Sequence, residues 1–105
     1  MVNNFFVSFV TGQLSELPGI ESQAMFGGFG LALEGAFFGI VFQDRLYLKT
    51  DAASRQEHEA RGMGPFRFFG MKSLEDFYEV PELVVSDSAE LMRWVRRALA
   101  AAGGA

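Results

Sequence analysis

At 105 residues, half of them hydrophobic and 21% charged, the chain is too small for two cores and too apolar for a disordered segment. The absence of Cys excludes disulfide scaffolds, thiolate metal sites and cysteine nucleophiles, and a net charge of −4 opposes the phosphate contacts on which nucleic-acid affinity rests. No apolar stretch approaches the roughly 20 residues of a membrane span and Met1-Val2-Asn3-Asn4 is not a basic leader, so the expectation is one cytoplasmic domain over residues 1–105, with no membrane contact and no direct nucleic-acid binding.

In chain order, Phe6, Val10, Leu14 and Leu17 recur at helical spacing, with Phe5 and Phe9 one row over, and predict a helix over residues 4–17. Asn3 or Asn4 caps it and Pro18-Gly19 ends it. The stretch from Gln23 to Thr50 breaks into short Phe/Ile/Val/Leu-rich runs separated by turn residues and predicts three or four antiparallel strands. Met25 to Leu33 pairs through Glu34-Gly35 with Phe37 to Phe42, and Gln43-Asp44 returns the chain into residues 45–49. There Leu46 and Leu48 face one side while Arg45, Tyr47 and Lys49 face the other, as in a sheet with one wet face.

Thr50 or Asp51 caps a second helix over residues 52–61, with a thin apolar side of Ala52, Ala53 and Ala60 and a stop at Gly62. Phe66 to Phe69 and Phe77 to Val80 read as two more strands, closed by Pro81. Asp87 and Glu90 stand at capping-box spacing ahead of a last helix whose stripe is Leu91, Trp94, Val95, Ala98, Leu99 and Ala102. The order α-β-β-β(-β)-α-β-β-α implies an α+β fold in two layers, a mainly antiparallel sheet of five to six strands with helices on one face.

Candidate chemistry is sparse. The glycines of Met25-Phe26-Gly27-Gly28-Phe29-Gly30 are followed by a strand rather than a helix and lack the Lys-Ser/Thr of a phosphate loop, so a bulge or close strand approach is expected. His58 has no Cys or second His with which to hold a metal and lies between Glu57 and Glu59, which predicts a solvated surface imidazole. None of the serines lies in Gly-x-Ser-x-Gly. The acids Glu75, Asp76, Glu79 and Glu82 read as a solvated rim. No catalytic, cofactor-binding or metal-binding residue is expected, and the protein is not read as an enzyme.

Arg93, Arg96 and Arg97 lie largely off the stripe of the last helix and are candidates for contact with phosphate or an acidic partner, or for complementing the helix dipole. Twelve Phe residues exceed what a small two-layer domain readily hides. Phe37, Phe66, Phe68, Phe69, Phe77 and Tyr78 are therefore candidates either for an exposed interface or for thickening the core. The first choice predicts a homodimer that reuses one patch on both subunits.

The run Ala24-Met25-Phe26-Gly27-Gly28-Phe29-Gly30-Leu31, then Glu34-Gly35, then Asp44-Arg45-Leu46-Tyr47-Leu48-Lys49 with Asp51, and finally Phe77-Tyr78-Glu79-Val80-Pro81-Glu82 resemble the N-terminal domain of TfoX-type proteins. The resemblance implies a fold similar to secretion-chaperone-like domains and a bacterial setting in competence and transcription regulation. It implies no enzyme and assigns no catalytic residue. Because full-length regulators carry a second domain beyond the last helix, a stand-alone domain is expected here. Two functions follow as expectations: a regulatory or adaptor domain acting by protein contact, and a small-ligand-binding domain using a cleft between helix one and the sheet.

Overall fold

A computed structural model describes residues 5–68 and 70–103. Helix α1 (Phe5–Gln13) leads into four strands, β1 (Glu21–Met25), β2 (Gly28–Leu33), β3 (Ala36–Phe42) and β4 (Arg45–Lys49). Helix α2 (Ala52–Ala60), a 3-10 turn at Lys72–Leu74, strand β5 (Phe77–Glu79), the short helix α3 (Glu82–Val85) and helix α4 (Ser88–Ala101) complete the chain. The strands form one antiparallel sheet in sequence order, β1-β2-β3-β4-β5, so the expected α+β architecture is present.

Three consecutive two-residue turns fold the meander. Phe26-Gly27, Glu34-Gly35 and Gln43-Asp44 all have positive φ at both positions, the mirror-image turns whose twist matches that of the flanking strands. The first of them divides the expected strand from Met25 to Leu33 into β1 and β2. Phe26, at φ 33°, is a bulky residue in a region that disfavours it. Its ring is held by Phe68 at 4.7 Å and Phe66 at 5.8 Å, contacts that offset the backbone cost.

A bulge shapes β3. Leu31 pairs with Gly39 and Ala32 with Phe37, which leaves Phe38 as the extra residue and turns Phe38 and Gly39 to the same side. That side carries the main core. Leu31, Phe38, Leu46 and Leu48 of the sheet pack there against Val7, Val10 and Leu14 at the start of the chain, Val84 and Val85 of α3, and Leu91, Trp94, Val95 and Ala98 of α4. Gly39 adds no side chain to a spot where a Cβ would already touch Leu31 and Leu48.

The opposite face departs from the expected wet surface. Ile40, Phe66, Leu74 and Phe77 are buried there, with Met25, Phe26, Phe37, Phe42, Tyr47, Phe68 and Met71 packed around them. The segment after α2 supplies this cover without becoming a strand. Of the strand expected at Phe66 to Phe69, the described residues 66–68 form no strand: the pairing is a single bridge, Pro65 to Tyr78, with the Phe66 N–H donating to the Phe77 carbonyl at 2.6 Å. Too few backbone groups pair to continue a ladder, because the rings of Phe66 and Phe68 turn across the sheet toward Phe26 and Phe42.

The glycine run is structural, as the sequence predicts. Gly28, Gly30 and Ala32 lie opposite Met25, Gln23 and Glu21, so β2 presents almost bare backbone to the aromatic face. Phe42 leans over Gly28, while Phe37 and Met25 lean over Gly30.

Helix α1 ends four residues earlier than predicted. Leu14 and Leu17 still pack inward from the turn that follows, and the Asn3 or Asn4 cap lies outside the described residues. Asp51, not Thr50, caps α2. Its carboxylate accepts from the Ser54 N–H at 2.8 Å while the Ser54 hydroxyl accepts from the Asp51 N–H at 3.1 Å. Thr50 is buried and donates its hydroxyl to the Asp76 carbonyl at 2.6 Å. The chain leaves the helix at Gly62, φ 78°. Asp87 caps α4 through the Glu90 N–H.

Candidate binding groove

An open groove of about 530 Å³ runs beside α1. Phe6 forms one wall, Met63 and Val85 supply further apolar lining, and Leu46 and Val80 lie at its base, both nearly inaccessible to solvent. Asp44, Arg45, Glu79 and Glu82 bring the charge. The β3–β4 turn projects Asp44, the end of β5 places Glu79, and Pro81 turns the chain so that Glu82 starts α3. Arg45, the one guanidinium among these residues, reaches Glu79 at 3.5 Å. The groove therefore carries an excess of carboxylate beside an apolar wall.

Close to it, α2 is anchored by polar groups. Ala52, Ala53 and Ala60, the expected apolar side, are exposed, and the buried residues are Ser54 and His58. His58 is only 2% exposed, which corrects the expectation of a surface imidazole. Its Nδ1–H donates to the Glu79 carbonyl at 2.7 Å, which fixes the tautomer, and its ring packs at 4.7 Å from Trp94 and 6.0 Å from Tyr78. Flanking charges misled the sequence reading: Glu57 and Glu59 turn to other sides of the helix while the residue between them turns in.

Burial holds the His58 pKa below its ordinary value, and the nearby Arg97 charge pushes the same way, against the hydrogen bond to Glu79 and the charge of Glu57. The neutral ring is therefore favoured by folding. Its contribution to stability is complete above the unfolded value of about 6.5 and is lost as pH falls below that value toward the lowered folded one. Urea midpoints measured between pH 7.5 and 5 should fall in the wild type, and the decline just below 6.5 should be flatter in His58→Gln. An unchanged slope in the variant would remove His58 as the cause.

The arginines of α4 divide. Arg93 contacts Glu57 at 2.7 Å and Glu90 at 2.9 Å, and Arg97 contacts Glu57 at 2.8 Å while lying over the Trp94 ring at 5.4 Å. The Arg93 hydrogen bond is the chief reason that the Glu57 carboxyl is held below its usual range. Arg96 stays largely exposed, 4.0 Å from Glu16. None of the three stands in the last turn of α4, so dipole complementation does not describe them. The signal missed in the sequence is Glu57, a single carboxylate from α2 that gathers two of the three cations.

Of the candidate aromatic residues, Phe66 and Phe77 are each 2% exposed, so they thicken a second core and are not available at a surface. Phe37, Phe68 and Tyr78 are half-buried, and Phe69 lies outside the described residues. Of the acids named from the sequence, Glu75 pairs with Arg67, Asp76 with Lys49 and Arg55, and Glu79 with Arg45, while Glu79 and Glu82 come together in the lining of the groove. Among the described residues no group of three or more His, Asp or Glu side chains could hold a metal, and no helix is long and apolar enough to cross a membrane.

A meandering antiparallel sheet with helices over one face and an aromatic second core over the other defines a compact α+β domain. Its family is shown by comparison: the family model of the TfoX N-terminal domain matches residues 12–102, and the chain belongs to that family. A comparison with curated proteins finds no significant match.

Proposed function

We propose that this chain is a non-enzymatic regulatory or adaptor domain that works by protein contact, with the groove beside α1 taking a partner segment rich in basic and apolar side chains. The observation that carries the reading is the lining itself: Phe6, Met63 and Val85 beside Asp44, Glu79 and Glu82, with the single Arg45 already paired to Glu79. Such a surface attracts ammonium and guanidinium groups and repels phosphate. The pairing of Arg93 and Arg97 with the carboxylates of Glu57 and Glu90 supports the same choice of protein over nucleic acid. Membership of the TfoX N-terminal domain family supports a setting in bacterial competence and transcription regulation, in the cytoplasm.

A second reading is a small ligand, since the groove volume falls in the range of about 300–1,000 Å³ typical of ligand sites. Titration of isotope-labelled protein with Lys- and Arg-bearing amphipathic peptides, followed by amide shifts, separates the two. Peptides should perturb Phe6, Asp44 and Glu82 and lose at least about fivefold in affinity in Asp44→Asn/Glu82→Gln, roughly 1 kcal/mol. A metabolite that stabilises the fold by about 2.7 kcal/mol at 100 times its dissociation constant, with no peptide response, would replace the protein reading by the ligand one.

A further inference from the structure

The two edges of the sheet are treated differently by the rest of the chain. At the β5 edge the strand is three residues long, and the preceding segment already engages its backbone: Phe66 N–H donates to the Phe77 carbonyl, and Glu79 N–H donates to the Gly64 carbonyl at 3.0 Å. At the other edge β1 has five residues, of which Glu21, Ser22, Gln23 and Ala24 are exposed. β1 contains no Pro, Lys or Arg and runs against β2 without a bulge, and its one charge, Glu21, stands at the first position, so most of the devices that usually blunt an edge are absent.

The Phe26-Gly27 turn fixes which groups that edge offers. Residues flanking a two-residue hairpin turn exchange both backbone bonds, so Met25, Gln23 and Glu21 direct their N–H and C=O groups to Gly28, Gly30 and Ala32. Ser22 and Ala24 turn theirs outward. A pair of outward-facing residues separated by one reads the same from either end of the strand.

We propose that β1 docks antiparallel on β1 of a second copy of this chain, about a two-fold axis beside Gln23. Ser22 of each copy exchanges both backbone bonds with Ala24 of the other. Gln23 stands opposite Gln23, and Glu21 opposite Met25, so no like charges meet across the axis. A second copy meets both conditions, bond phase and the absence of opposed like charges, with the same five residues on each side. The interface differs from the aromatic one expected from the sequence, and it is independent of the groove. Five residues a side fall well short of the roughly 20–30 of a stable interface, so the association is weak and depends on concentration.

The chain has no Cys of its own, which permits a direct test. Opposed residues at such a non-hydrogen-bonded position have Cα atoms about 4.5 Å apart, within disulfide reach. Under mild oxidation Gln23→Cys should form a covalent dimer at least about tenfold faster than Ser22→Cys or Glu21→Cys, whose own copies are out of register by roughly 7 Å or more. Adding Ala24→Pro removes only an outward N–H, leaves the hairpin folded by circular dichroism, and should abolish the fast crosslinking. Sedimentation of the wild type should show its mass rising with concentration into the millimolar range. Equal crosslinking rates at all three positions, crosslinking that survives Ala24→Pro, or a constant monomer mass would each overturn the proposal.

Discussion

Trp94→Ala is expected to lower stability by about 3–5 kcal/mol, a large share of the roughly 5–15 kcal/mol that holds a domain folded. Trp94 is 1% exposed and sits where α4, α2 and the sheet meet. Its indole packs edge-on to His58, lies under the Arg97 guanidinium, and donates Nε1–H to the Glu90 carboxylate at 3.2 Å. Truncation opens a cavity and also removes the apolar surface against which buried His58 rests. Because Trp94 is the only tryptophan, unfolding of the variant is followed by circular dichroism in urea, with Trp94→Phe as a variant that keeps most of the volume but loses the N–H. A loss below about 1 kcal/mol for Trp94→Ala would mean that the site collapses without cost, contrary to its position at the junction.

The second large effect is expected at Gly28. A Cβ there would run into the Val41 carbonyl oxygen and press on the Phe42 ring and backbone. A carbonyl within the β2–β3 ladder cannot withdraw without disturbing its pairing, so Gly28→Ala should cost about 1–3 kcal/mol or more through overpacking. Gly30 is the informative comparison. Its nearest obstacle is the Met25 thioether at 2.6 Å, the end of a flexible side chain that can swing aside, and the Phe37 ring lies at 3.1 Å. Gly30→Ala should therefore be the milder variant by urea midpoint. The reverse order would show that the ring and thioether over Gly30 are the more rigid obstacle.

These sites illustrate what local chemistry can and cannot announce. Glu34-Gly35 and Gln43-Asp44 were legible as turns because their residue types favour positive φ or bend the chain, and the alternation around Leu46 and Leu48 showed which way β4 faces. Phe26-Gly27 was not legible, since Phe at positive φ is tolerated only through rings some forty residues further along the chain. The second core escaped for a related reason: the segment carrying Phe66 and Phe68 covers the sheet with almost no regular pairing to give it a period. His58 was misread and Glu57 missed because polarity was judged along the helix, whereas their roles are set by β5 and α4. The groove draws residues from α1, the β3–β4 turn, β4, the segment after α2, β5 and α3, and no stretch of sequence contains enough of it to be recognised.

The order in which the fold can be completed follows from where its layers originate. Every strand from β1 to β4 pairs with its immediate neighbour across a two-residue turn, so that much of the sheet can form as soon as it leaves the ribosome. Its helix-covered side, however, needs both ends of the sequence. Val10 and Leu14 arrive first, whereas Leu91, Trp94 and Val95 arrive last. Until Ser88–Ala101 has been synthesised, Leu31, Phe38, Leu46 and Leu48 lack their principal cover. The nascent chain thus passes through an interval in which this apolar flank has no cover, the exposure that makes newly made chains depend on chaperones.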